Sequence, residues 1–177
     1  MRRQFIVILL GVLSFFSYHC GYSTHTTLPR HFRTIHIEPF KNAVGYSTEG
    51  ARRNLYVPLL EVKTRSAIAD RFLLDGTLKV IEPQTADLIL KGELKDYDRA
   101  GLRFSDSDDV EEYRISITVS LELFDTSKQE TVWAEPSFSG EATYFLSGPQ
   151  ATSEEAAIQK AMEDLARRVV ERTVEDW

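Results

Sequence analysis

The chain is poor in the groups that most enzyme chemistry needs. It has one cysteine in 177 residues, so it can form no internal disulfide and no thiolate-built zinc site. Its four histidines, His19, His25, His31 and His36, show no metal-pair spacing such as H-E-x-x-H. G-x-S-x-G, G-x-G-x-x-G and the Walker loop are all missing, which removes the usual nucleophile-elbow and phosphate-cradle readings. Six Pro and nine Gly are too few for a low-complexity or collagen-like chain. Positive charge is not in excess: 21 Lys and Arg against 27 Asp and Glu leave a net −6, the wrong balance for nucleic acid. No apolar run approaches the roughly 20 residues of a permanent membrane helix. These absences lead us to expect no enzyme, no cofactor and no metal, and a function carried by surface.

What is present begins with an export pattern. Met1-Arg2-Arg3 precedes an apolar run from Phe5 to Phe16, a basic n-region followed by a short hydrophobic core. A buried core helix would also account for the apolar run, but not for the flanking arginines or the terminal position. Residues 1–19 are therefore expected to be a signal peptide. The single thiol, Cys20, comes directly after it, which resembles a bacterial lipoprotein whose cysteine becomes the lipidated first residue. Ser17-Tyr18-His19 departs from the usual lipobox, which has Leu three before the cysteine and a small residue just before it. An acidic body would not hold to an anionic membrane surface unaided, so an acyl anchor at Cys20 would have to do so. Residues 20–31 are polar and read as a lipid-anchored tether, with 32–177 as a single α+β domain.

Within that domain the periodicities change several times. Arg33 to Glu38 alternates and stops at Pro39, a first strand. Residues 41–54 carry Gly45, Ser47, Thr48 and Gly50 and read as a loop. Pro58 suits the first position of a helix, and Leu59, Val62, Ser66, Ala69 and Leu73 then follow helical spacing, with Phe72 beside them, up to Asp75-Gly76. Leu78 to Ile81 is a short strand, and the strand–helix–strand order implies a parallel pair.

Three long alternating segments follow. Ala86, Leu88, Leu90, Gly92 and Leu94 share a face over 86–98. Tyr113, Ile115, Ile117, Val119, Leu121 and Leu123 share one over 110–125, opposite Arg114, Ser116, Thr118, Ser120 and Glu122. Val132, Ala134, Phe138, Ala142 and Tyr144 share one over 130–146. Thr152-Ser-Glu-Glu155 reads as a capping box opening a last helix, whose apolar stripe is Ile158, Ala161, Met162, Leu165, Val169 and Thr173. The expected fold is a two-layer α+β sandwich: a mixed, mostly antiparallel sheet of long strands with two helices on one face. Strands of fifteen residues would reach roughly 50 Å, so the domain should be elongated, with one polar face left uncovered.

The remaining polar clusters carry little specific chemistry. The acids at 106, 108, 109, 111 and 112 lack the Gly and Glu that an EF-hand needs at its sixth and twelfth positions, and read as a solvated hairpin tip. Arg65, Arg71, Arg99 and Arg103 read as scattered surface charge.

Taken in order, Cys20-Gly21-Tyr22, Thr34-Ile-His-Ile-Glu-Pro39, Phe72-Leu-Leu-Asp-Gly76, Leu78-Lys-Val80, Ala86-Asp87-Leu88, Glu112-Tyr113-Arg114, Val132-Trp133 and Ser139-Gly140 resemble the LptE family of lipopolysaccharide-assembly lipoproteins. The resemblance covers nearly all of the chain after Cys20. It implies an outer-membrane lipoprotein on the periplasmic side, seated as a plug in the lumen of the β-barrel LptD. Such proteins help the barrel assemble and contact lipopolysaccharide on its way to the surface. Under that reading Arg114 and Lys95 are the first choices for charged contact with barrel or lipid phosphate. A pilot or adaptor for another outer-membrane channel is the alternative.

Overall fold

Clean alternation over three long segments produces three long strands. The computed structural model describes residues 28–44 and 57–175; the expected signal peptide and Cys20 lie outside the described residues. In chain order the elements are β1 (Thr34–Ile37), β2 (Lys41–Asn42), helix α1 (Leu60–Asp75), β3 (Lys79–Val80), a 3-10 turn (Pro83–Thr85), β4 (Leu88–Phe104), β5 (Val110–Asp125), β6 (Glu130–Phe145) and helix α2 (Glu154–Val174). The strands form one mixed sheet in the order β3-β1-β4-β5-β6, with β2 paired to β4. The short strands β1, β2 and β3 pair in parallel, and β4, β5 and β6 pair antiparallel. Both helices cover one face of this sheet, the expected α+β sandwich.

The strand faces follow from period-two chemistry. Along β5, Ile115, Ile117, Val119, Leu121 and Leu123 are all buried, and the residues between them are half-exposed. On β4, Leu88, Leu90 and Leu94 are buried up to an irregularity between Leu94 and Asp96, after which Tyr97 turns inward. Gly92 keeps the register without a side chain because the Phe40 ring fills its place; a Cβ there would lie 2.3 Å from the ring.

Two carboxylates fasten the end of the sheet where β1 and β4 begin and β5 ends. Asp87 accepts the N–H groups of Arg33 and Thr34 and the Thr34 hydroxyl at 2.7–3.0 Å, and its own N–H donates to that hydroxyl. Burial alone would push its carboxyl up, but these hydrogen bonds outweigh it and hold the group below its ordinary value. Asp125 does the same for the β5–β6 turn, accepting from Ser127 and Lys128. Leu28, at the far end of the expected tether, is buried with Phe32.

Several expectations are corrected. The 41–54 loop contains β2, and the connection expected at 99–109 is shorter, since β4 continues to Phe104. Helix α1 begins at Leu60, after Pro58 and a left-handed Leu59. Its buried stripe is Leu60, Thr64, Ile68 and Phe72, not the stripe read from the sequence: Leu59, Val62 and Leu73 face solvent, at 61%, 49% and 63% exposure. Gly76 ends the helix as expected, in the left-handed region, with its N–H donating to Phe72.

At α2 the cap is Ser153, one residue after the expected Thr152; its hydroxyl accepts the Ala156 N–H at 3.1 Å. The expected α2 stripe is buried from Ala161 on, with Ile158 only partly covered. On β6, two residues near Pro136 have no partner on β5, which shifts the register. Trp133 is therefore the buried residue there, while Ala134 is exposed and Val132 only half-buried.

Candidate partner-binding face

The face of the sheet opposite the helices is the surface on which a partner could act. On β5 it carries Arg114, Ser116, Thr118, Ser120 and Glu122, because these alternate with the buried apolar set. Register brings Asp98, Asp96 and Glu93 beside them on β4, and Thr143, Glu141 and Ser139 on β6. The face is held by cross-strand pairs: Thr118 and Ser139 share a hydroxyl hydrogen bond of 2.8 Å, and Lys91 meets Glu122 at 3.4 Å while lying over the Phe124 ring. Thr131 also donates to Glu122, at 2.9 Å. Where β6 is irregular, the face dips into an open groove of about 390 Å³ whose lining includes Glu38, Lys41, Lys91, Glu93 and Glu122.

The two sequence-predicted contact residues take different places here. Arg114 lies between Ala100 on β4 and Thr143 on β6, and pairs with Glu141 at 3.7 Å. Lys95 is the extra residue of the β4 irregularity and pairs with Glu93, a groove residue, at 3.0 Å. The register sets them four to five residues apart along the strands, roughly 15 Å, so they do not form one cluster. Both ion pairs are more than a third exposed, and such pairs contribute about 0–1 kcal/mol, so exchanging them for a partner's charges costs little.

A second polar cluster lies on the helix-covered face at the far end of the long strands, and sequence reasoning missed it. Glu154, in the first turn of α2, accepts from Tyr97 at 3.1 Å, from Arg99 at 2.5 Å and from Tyr144 at 3.2 Å. Arg99 also lies over the Tyr113 ring, which stacks on Tyr144. Burial, then the charge of Glu154, pushes the Tyr97 hydroxyl well above its ordinary value, and Tyr144 shifts the same way. Desolvation would lower the Arg99 pKa, but Glu154 outweighs it and the guanidinium stays charged. A glutamate at a helix N-terminus is also favoured by the helix dipole. The cluster ties α2 to β4 and β6 and leaves Glu154 fully engaged, so its place is structural. Among the described residues no group of three His, Cys, Asp or Glu side chains could hold a metal ion.

The fold is a long mixed sheet with helices on one face and the other face polar, grooved and open. The chain belongs to the LptE family: residues 32–173 match the family model described as "LptE: Lipopolysaccharide-assembly". That membership implies an outer-membrane lipoprotein with a β-barrel partner and lipopolysaccharide in its function, and it is consistent with a non-enzymatic scaffold. No curated protein matches the chain. Among solved structures it is similar to protein XCC0632 from Xanthomonas campestris, with a TM-score of 0.57 and 14% identity over 84% of this chain and 88% of that one. It is also similar to uncharacterized lipoprotein B from Nitrosomonas europaea, with a TM-score of 0.52 and 15% identity over 83% and 84% of the two chains. A PelC dodecamer from Paraburkholderia phytofirmans gives a TM-score of 0.51 and 16% identity, over 85% and 96%. At these identities the likeness is one of fold alone.

Proposed function

We propose that the chain is anchored through an acylated Cys20 to the periplasmic side of the outer membrane. Its 32–177 domain then plugs the lumen of an LptD barrel, helping that barrel assemble and pass lipopolysaccharide to the cell surface. The observation that carries this reading is the uncovered polar face of three strands, 16 to 17 residues each, in a chain of the LptE family. At about 3.3 Å per residue such strands run some 50 Å, longer than the roughly 25 Å apolar band of an outer-membrane barrel. A barrel lumen is polar, so a polar face suits it where an apolar one would not. Multiple acyl chains, at about 0.8 kcal/mol per buried CH₂, would hold the domain at the barrel's mouth.

Affinity capture of the chain from its own membranes tests the proposal. A barrel of the LptD kind is expected to accompany it, with Cys20 acylated by mass spectrometry. Capture of a different outer-membrane channel would favour the pilot or adaptor reading, and an unmodified Cys20 in membrane-extracted protein would remove the anchor.

The face itself is tested by reversing Arg114 and Lys95 together to Glu. Each change turns an exposed ion pair into a like-charge pair, with Glu141 and with Glu93. Stability is expected to shift by about 0.5 kcal/mol or less per site, as at other surface positions. Barrel capture or surface lipopolysaccharide is expected to fall by about tenfold, the scale on which like charges oppose docking. Unchanged capture and unchanged surface lipopolysaccharide would take this face out of the mechanism.

A further inference from the structure

The outer side of α1 is apolar where a surface helix is ordinarily polar. Leu59 at its start and Val62, Leu73 and Leu74 within it are all exposed, Leu74 at 80%. Ser66 and the small Ala69 lie between them, and Lys63 and Asp70 add one exposed charge of each sign. The buried stripe faces the core, so this outer stripe points away from the sheet and from its polar face. Exposed apolar surface of this kind marks a contact. A polar barrel lumen does not supply one.

The place of the helix in the chain says what does. Leu28 lies eight residues after Cys20 and is buried in the core. Eight residues span at most about 28 Å. The tether enters the fold at the end where α1 finishes: Gly76 closes the helix, and Lys79 then donates its N–H to the Arg33 carbonyl at 2.9 Å. Leu73 and Leu74 are therefore held beside that entry. Arg30, Arg33 and Lys79 are exposed at this end, with Asp75 and the hydrogen-bonded Asp87 as its acids, so lipid phosphates do not repel it. Among the described residues no helix is long and apolar enough to cross a membrane, which leaves contact along the surface.

We infer that, before the barrel is met, the outer stripe of α1 lies on the phospholipid leaflet that holds the acyl chains of Cys20. The inference rests on the proposed anchor. The stripe need bind only weakly, because a short tether makes its contact intramolecular, at an effective concentration of about millimolar order. A leaflet against the helix layer leaves the polar sheet face uncovered and free to meet a partner.

Fluorescence tests this on the full chain, purified from its own membranes and reconstituted without a barrel in phosphatidylethanolamine–phosphatidylglycerol vesicles. Tryptophan is placed at 73 (Leu73→Trp) and, as a control, at 128 (Lys128→Trp), exposed on the β5–β6 turn at the same end of the sheet but off the helix. Each is read as the difference from the unsubstituted chain, whose two tryptophans give the background. Brominated lipid is expected to quench the added emission at 73 at least about threefold more than at 128, since an apolar face at an interface sinks about 5–10 Å into it. Equal quenching at the two positions overturns the inference. So does emission at 73 that is blue-shifted but unquenched, which would put protein rather than lipid on the stripe. Should Leu73→Trp fail to fold, Leu74→Trp carries the same expectation and the same overturning results. Should Cys20 prove unmodified, its thiol, the only one in the sequence, is coupled to a maleimide lipid in the same vesicles, so the stripe is tested whether or not the anchor reading holds.

Discussion

Leu165→Ala is expected to cost about 2–5 kcal/mol of folding stability, toward the upper end of that range. Leu165 is fully buried on the sheet side of α2. Removing its branched end leaves a cavity, and cavities cost most where the surroundings cannot collapse. Here they cannot, because the helix backbone already lies against the strand: a Cβ placed on Gly140 would fall 2.5 Å from the Leu165 nitrogen. Leu121→Ala, on the β5 face below the helices, should fall in the same range, since that side chain is also buried. Urea unfolding followed by circular dichroism measures both. Leu73→Ala on α1 is the control: its side chain is 63% exposed, and a change within about 0.5 kcal/mol is expected. Costs below that level at both core sites would mean that the helices are not seated on this face.

That control also marks where sequence patterning fails. Helix α1 carries two apolar stripes, Leu59-Val62-Ser66-Ala69-Leu73 and Leu60-Thr64-Ile68-Phe72, on nearly opposite sides. Period alone cannot rank them, since each carries one polar residue, Ser66 in the first and Thr64 in the second, which is the one buried. Tertiary packing makes the choice, because α1 lies against α2, β3 and β4 and it is Ile68 and Phe72 that join the buried core there. In β5 no such ambiguity arises: a strand has only two faces, and one of them is nearly all Ile, Leu and Val. In β6 the reading holds from Phe138 onward but slips before Pro136. One irregularity exchanges the faces, so that Trp133 rather than Val132 or Ala134 points inward.

The candidate face was legible for the same reason as β5, since whatever alternates with a buried set must face the other way. Its groove was not, because it lies at the β6 irregularity, where Ala134, Glu135 and Pro136 line it. Nor was the Glu154 cluster, whose tyrosine and arginine partners on β4 lie 57 and 55 residues away in sequence. The one available signal was an acid at a helix start, and two adjacent glutamates offered themselves there.

Gly140→Val is expected to be the most damaging single change in the sheet. Gly140 is buried on β6 where α2 crosses it. An added Cβ would lie 2.4 Å from the Ala161 carbonyl oxygen and 2.5 Å from the Leu165 nitrogen and Cβ. Two of these are backbone atoms, so no rotamer change relieves the contact, and the helix must lift by about 1 Å to regain ordinary separation. Lifting it would loosen Ala161, Leu165 and Val169 from the core and strain the Asp164 and Arg168 contacts with the β6 edge. Overpacking in a core ordinarily costs about 1–3 kcal/mol, and Gly140→Ala should reach the top of that range. Valine adds two further methyl groups and should cost more than that, a large share of the roughly 5–15 kcal/mol that holds a typical domain together. The expected result is a chain that is cleaved rapidly by protease and lacks a native near-ultraviolet spectrum. Gly140→Ala should still fold, at a lower denaturant midpoint, and its barrel capture per folded molecule should equal that of the unsubstituted chain, since the helix side of the sheet is not the proposed contact. The Arg114 and Lys95 reversal should do the opposite, leaving the midpoint in place and lowering capture per folded molecule. A Gly140→Ala midpoint within error of the unsubstituted chain would show that α2 does not approach β6 this closely.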